Sequence, residues 1–153
     1  LDTRKTVPGL RRLDKYAVKC GGGTNHRIGL HDAILIKDNH LAFWRQKHKG
    51  TLADAVRAAR KTYPGLKIEI EVDTLEQLQE ALPGQPDWVL LDNMSPQMVA
   101  AAVILCNGAC KTEASGGITR DNVREYARAG VTAISIGALT HSSRAADLGL
   151  DFD

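Results

Sequence analysis

The sequence predicts an incomplete, open parallel α/β barrel, and three observations carry that expectation. β-rich runs and helical patterns alternate through the last two-thirds of the chain, as parallel βαβ units with right-handed crossovers require. The ends of those runs, at Glu71, Asp92, Ser115 and Gly137, recur at intervals of 21, 23 and 22 residues, about one barrel unit each. The length, 153 residues, falls well short of the roughly 250 of a complete eight-unit barrel. No linker or low-complexity tract divides the chain, so residues 1–153 are expected to form a single domain.

Taken in order, the first strand candidates are Tyr16 to Cys20 and Ala33 to Ile36, with Gly21-Gly22-Gly23 between them. The three glycines fit neither GxGxxG nor the Walker pattern, and read as a mobile loop beside Asn25-His26-Arg27. Thr51 to Tyr63 carries Leu52, Ala55, Val56 and Ala59 on one helical face and stops at Pro64-Gly65. Lys67 to Val72 reads as a strand. Thr74 then caps a helix to about Leu82, with Gln77 placed for a capping box. Trp88 to Leu91 is the next strand, and Ser95-Pro96 opens a helix to about Cys106 with proline at its first position. Lys111 to Ser115, a helix from Thr119 to Ala129 closed by Gly130, and a strand from Ala133 to Ile136 complete the pattern.

Composition bounds the function classes. At 43% hydrophobic and 25% charged, the chain belongs with globular proteins and not with disordered or fibrous ones. No apolar window approaches the length of a membrane span and no leader is evident, so a cytoplasmic protein without a membrane partner is expected. Three cysteines without a CxxC pair suggest buried thiols, not a disulfide framework or a zinc site. The net charge of +2 hides an asymmetry: residues 1–50 hold 11 Lys and Arg against 4 Asp and Glu, and residues 51–153 hold 9 against 14. A basic block of this kind invites an anionic partner. Its charges fall in turns and strand ends, not along a continuous helix, and aromatics are only 5%. A small polyanion is therefore expected over a nucleic acid.

In parallel α/β folds the strand C-termini share one face, so Glu71, Asp92, Ser115 and Gly137 are expected around one pocket. Ser115-Gly116-Gly117-Ile118 and Ser135-Ile136-Gly137-Ala138, one unit apart, suit two loops that hold a phosphate through backbone N–H groups and helix N-termini. A cation rim of Arg4, Lys5, His26, Arg27 and Lys37 completes the site. Carboxylates beneath cations suit a substrate with anionic arms around a centre that becomes positive during the reaction.

The motifs DTRKTVPGLR from Asp2, KCGGGTNHRIG from Lys19, ILIKDNH from Ile34, EIEVD from Glu69, LLDNM from Leu90, EASGGI from Glu113 and SIGALTHS from Ser135 resemble, in order and over nearly the whole chain, those of the quinolinate phosphoribosyltransferase family. The resemblance implies a type II phosphoribosyltransferase fold. The implied reaction is phosphoribosyl transfer from phosphoribosyl pyrophosphate (PRPP) to quinolinate with decarboxylation, giving nicotinate mononucleotide, CO2 and pyrophosphate with Mg2+ as cofactor. It also implies roles. Arg4, Lys5, His26, Arg27 and Lys37 would bind the quinolinate carboxylates and neighbouring phosphates. Glu71 and Asp92 would face the ribose, help hold the metal and support the transition state. Ser115, Gly116 and Gly137 would take the 5′-phosphate, with His141 near that rim. Lys5, Lys37, Glu71 and Asp92 are the implied catalytic set. Family members are nearly twice as long, with an N-terminal sandwich domain, and form a homodimer or higher oligomer in which a second subunit contributes an arginine. The chain alone is accordingly expected to be weak or inactive. A sister phosphoribosyltransferase acting on nicotinate or another ring acid and a non-catalytic nucleic-acid-binding module are the competing readings.

Overall fold

The computed structural model describes residues 1–151. Five parallel strands lie in chain order in one open sheet: β1 (Ile34–Ile36), β2 (Ile68–Val72), β3 (Trp88–Asp92), β4 (Lys111–Ser115) and β5 (Ala133–Ile134). Glu71 is paired with Leu90 and Asp92 with Ser115, so the C-terminal ends of the central strands are level. The helices are α1 (Arg11–Cys20), α2 (Asp38–His48), α3 (Leu52–Thr62), α4 (Leu75–Ala81), α5 (Pro96–Cys106), α6 (Val123–Arg128) and α7 (Ala138–His141).

Period-2 alternation sorts each strand into two faces. Ile68, Ile70, Val72, Val89, Leu91 and Ala114 turn outward and join the core that α3, α4 and α5 close with Leu52, Val56, Leu78, Val99 and Ala102. Glu69, Glu71, Leu90, Asp92, Glu113 and Ser115 turn to the hollow side and line its clefts. Every residue of β2 is buried, and its carboxylates are the chemistry that this hollow side carries.

The expected helix signals of the second half are found at atomic level. Thr51, Thr74 and Ser95 each accept a hydrogen bond from the backbone N–H three residues on, at 3.2–3.3 Å. Gln77 reaches back one residue further than a capping box, accepting from the Asp73 N–H at 2.7 Å. Among the described residues no helix is long and apolar enough to cross a membrane.

The first fifty residues differ from expectation. Tyr16 to Cys20 is not a strand but the end of α1, a ten-residue helix. Its β-favouring residues are overridden because Lys15 and Val18, three apart, turn inward while Tyr16 remains exposed. Gly21 to Gly23 is the tied C-cap of that helix: their amides donate to the carbonyls of Ala17, Lys19 and Val18 at 2.9–3.0 Å. Gly22 takes φ +83°, the left-handed conformation that glycine adopts without strain. Helix α2 lies in a stretch to which the sequence analysis assigns no element, and only Leu41 of it is buried.

Two further boundaries shift. Helix α6 starts at Val123, not Thr119, because Asn122 accepts from the Thr119 N–H at 2.8 Å and donates to the Gly117 carbonyl at 3.1 Å, fixing a turn there. Beyond β5, the Ile136 amide leaves β4 and donates to the Leu1 carbonyl at 3.0 Å, while the Leu1 amine donates to the Ile134 carbonyl at 2.5 Å. The opening residues thus extend the sheet past β5. Among the thiols, Cys106 is buried and Cys110 half-buried, but Cys20 is exposed.

Candidate active site

The C-terminal end of the sheet opens into a cleft of about 310 Å³. Eight of the residues expected there from the sequence line it together: Arg4, Lys5, His26, Arg27, Lys37, Glu71, Asp92 and Ser115. Gly116, Gly137 and His141 do not line it: the two glycines sit in the loops after β4 and β5, and His141 ends α7. A larger opening of about 550 Å³, around Lys67, Trp88 and Lys111, lies at the opposite, N-terminal end of the strands. In α/β barrels that end serves stability and not chemistry.

Three supports hold the cationic segment of residues 2–5 over the cleft. Its end is paired to β5 through Leu1, and the Thr140 hydroxyl of α7 donates to the Lys5 carbonyl at 2.7 Å. The third is a buried hub at Asp2. Its Oδ1 takes Lys15 Nζ at 2.6 Å and the His26 amide at 2.8 Å, and its Oδ2 takes the Asn25 side chain at 2.7 Å. Lys15 also donates to the Arg27 carbonyl at 3.0 Å. Both partners of this ion pair are buried, so one lysine on α1 fixes the two ends of the cation rim.

The guanidinium-bearing Arg4 and Arg27 both line the cleft. Burial, and after it the charge on Arg4, lowers the pKa of Arg27 below its ordinary value. Among the described residues Arg4 Nε is buried with no hydrogen-bond acceptor. Two arginines on one wall suit an anionic ligand.

On the facing wall, Lys37 Nζ lies 3.1 Å from Glu71 Oε2. Burial raises the pKa of Glu71; the lysine opposes the rise, and the negative charges of Asp92 and Asp38 add to it. Asp92 is steadied by the Asn93 side chain, which donates to it at 2.7 Å. Behind Asn93 the backbone of Gly116 takes φ +92°, and a β-carbon there would stand 2.2 Å from Asn93 Oδ1. Glycine is therefore required to let the phosphate-type loop pass the acidic wall. The loop holds no helix N-terminus directly at Gly117, since α6 begins six residues later; Gly137 does stand immediately before α7. The His141 ring folds back over Gly137, with Nε2 at 2.7 Å from where a β-carbon would be.

Beneath the rim lies a cluster that the sequence reading missed. His26 Nε2 stands 2.9 Å from Glu69 Oε2 and 3.4 Å from Glu113 Oε2. Strand alternation alone could have placed Glu69 and Glu113 on the same face as Glu71 and Ser115. Burial would lower the imidazole pKa, but hydrogen bonds to Glu113 and Glu69 outweigh it and push it up to about 9. The Arg27 amide, 2.8 Å from Nδ1, favours a lone pair there. The charge-assisted bond to Glu69 together with the second carboxylate of Glu113 outweighs that one contact between adjacent residues. Glu69 itself is raised by burial.

A stability prediction follows from the imidazole. Its folded pKa lies above the ordinary 6.5, so its contribution is fully present below about pH 6.5 and is lost as pH rises through about 9. Urea midpoints between pH 6.5 and 9.5 are expected to fall, and His26→Asn to flatten that fall.

A metal at the cleft is constrained by the donor set. Among the described residues, the one group of three ligand atoms mutually within 4.8 Å is His26, Glu69 and Glu113, and its atoms already bond to one another. Glu71 and Asp92 offer two hard carboxylates, which fits Mg2+ that keeps waters and takes further oxygens from a phosphate-bearing substrate.

Comparison with known proteins agrees with this architecture. Residues 1–151 match the family model described as quinolinate phosphoribosyl transferase, C-terminal domain. A nicotinate-nucleotide pyrophosphorylase (carboxylating) of Mycobacterium leprae is 49% identical over 153 residues, covering 98% of this chain and 52% of the relative. A probable enzyme of the same name from Bacillus subtilis is 46% identical, covering 98% and 50%. The solved nicotinate-nucleotide pyrophosphorylase from Ehrlichia chaffeensis superposes with a TM-score of 0.90 at 45% identity, covering 98% of this chain and 53% of that one. The chain spans about half the length of the curated relatives it matches.

Proposed function

The chain belongs to the quinolinate phosphoribosyl transferase family, as its C-terminal domain, and on that premise we propose that it supplies the catalytic barrel of an enzyme that makes nicotinate mononucleotide from quinolinate and PRPP. The observation that carries this reading is the convergence of Arg4, Lys5, His26, Arg27 and Lys37 with Glu71, Asp92 and Ser115 on one cleft.

Arg4, Lys5, His26, Arg27 and Lys37 hold the two ring carboxylates and keep the ring nitrogen facing the ribose. Ser115, Gly116 and Gly137 receive the 5′-phosphate, with His141 closing that edge. The nitrogen forms its bond to C1′ as the bond from C1′ to pyrophosphate breaks. Positive charge grows on the ribose in that step, and Glu71 and Asp92 stabilise it from below. The same two carboxylates would hold Mg2+, which when bound offsets the charge of the departing pyrophosphate. The bond from C2 to its carboxylate then breaks, CO2 leaves, and the electron pair left on C2 takes a proton. The cations that pair both ring carboxylates oppose release of the dianionic ring before that step. In this reading the enzyme is a cytoplasmic homodimer or higher oligomer whose second subunit completes the ring-acid pocket, and the chain alone is weak or inactive.

Substrate choice tests the reading. A monoacid leaves part of the cation rim unpaired, and sites built to pair a polar group reject analogues lacking it by about 10⁴-fold. With the chain joined to the N-terminal part of the Mycobacterium leprae relative, quinolinate is expected to support turnover and nicotinate to fail. Equal use of nicotinate would identify the sister activity instead.

A further inference from the structure

The floor of the cleft contains polar groups whose partners are mainly one another. Glu69, Glu113 and Ser135 come from three different strands or strand ends of the sheet, and all are buried. Glu113 divides its two oxygens: Oε2 faces His26 Nε2 at 3.4 Å, and Oε1 accepts from the Ser135 hydroxyl at 2.6 Å. Glu69 gives Oε2 to the same imidazole nitrogen, while its Oε1 is buried without a partner among the described residues. No lysine or arginine lies within ion-pair distance of either carboxylate among the described residues. His26 is their shared counter-charge.

Two carboxylates in such a place are costly for stability alone. What they act on is the ring, and the ring is joined to the rim through the main chain: Arg27 is the next residue, and the His26 amide is anchored on Asp2 at 2.8 Å. Any tilt of the imidazole is therefore carried to the backbone that bears the Arg27 guanidinium. The carboxylates of the donor side, Glu71 and Asp92, stand on other positions and make no hydrogen bond to this cluster.

We propose that Glu69, Glu113 and Ser135 are positioning residues that orient His26 and Arg27 for the ring-acid substrate and leave the subsite of the phosphoribosyl donor untouched. The inference rests on the reading of the cleft as a quinolinate site.

The test uses the chain joined to the N-terminal part of the Mycobacterium leprae relative, with Glu113→Gln and Ser135→Ala. Loss of a hydrogen bond to a charged group corresponds to about tenfold in affinity. Glu113→Gln is expected to raise the KM for quinolinate about tenfold and Ser135→Ala about threefold, with the KM for PRPP within twofold. In the nitrogen NMR spectrum at pH 7.5, the His26 ring is expected to move from the charged toward the neutral signature in Glu113→Gln. A parallel rise in both KM values, or an unchanged quinolinate KM in Ser135→Ala, overturns the proposal. If Glu113→Gln does not fold, the milder Ser135→Ala decides alone. Failure of the unaltered protein to use quinolinate overturns the functional reading, and this inference with it; failure of the variants to separate the two KM values overturns only the inference.

Discussion

Lys37→Ala is expected to reduce kcat by about 10²- to 10³-fold, the range seen when a preorganised charge is removed from a transition state. Two losses combine. The clamp on the anionic substrate goes, and Glu71 loses the cation at 3.1 Å that opposes the rise of its pKa. Burial and the charges of Asp92 and Asp38 then act on Glu71 unopposed, so its charged form, the one that stabilises a developing cation, is less favoured. Lys37 is itself two-fifths exposed, so the fold should survive, as circular dichroism can check. Turnover of the joined protein at saturating substrates gives the number; a loss of less than about threefold would remove Lys37 from the machinery.

Asp2→Ala should be the most damaging single substitution for stability, at about 3–5 kcal/mol. It leaves the Lys15 ammonium buried and unpaired, and strips acceptors from the His26 amide and the Asn25 side chain. Because the same hub aligns Arg4, His26 and Arg27, ring-acid binding should be lost as well. Urea denaturation measures the effect. The double variant Asp2→Ala with Lys15→Met should recover much of the stability, since no charge is then left buried; a cost below about 1 kcal/mol in the single variant would show that Lys15 finds water instead.

These two predictions differ in how far the sequence alone foretold them. Lys37 and Glu71 were legible because strand ends in parallel folds share one side, and a spacing of about 22 residues puts Glu71, Asp92 and Ser115 there in phase. Helices α3, α4 and α5 were legible because their caps are local. Asp2 and Lys15 were not: a buried ion pair between residues 13 apart follows from the packing of α1, which the β-favouring Tyr16 and Val18 disguise as a strand. Glu69 and Glu113 were hidden differently. Alternation places them on the hollow side, but nothing local says that His26, 43 residues before Glu69, folds back to meet them. The start of α6 was misread because Asn122 caps a turn that looks, in sequence, like the first turn of a helix.

The most direct measurement is the fate of isotope placed in one carboxyl group of quinolinate. With label in the 2-carboxyl, the joined protein supplied with PRPP and Mg2+ is expected to release one labelled CO2 for each pyrophosphate, and with label in the 3-carboxyl to keep it in nicotinate mononucleotide. Pyrophosphate release without labelled CO2, or release of CO2 without dependence on PRPP, would contradict a cleft in which cations hold both carboxylates while Glu71 and Asp92 serve the ribose.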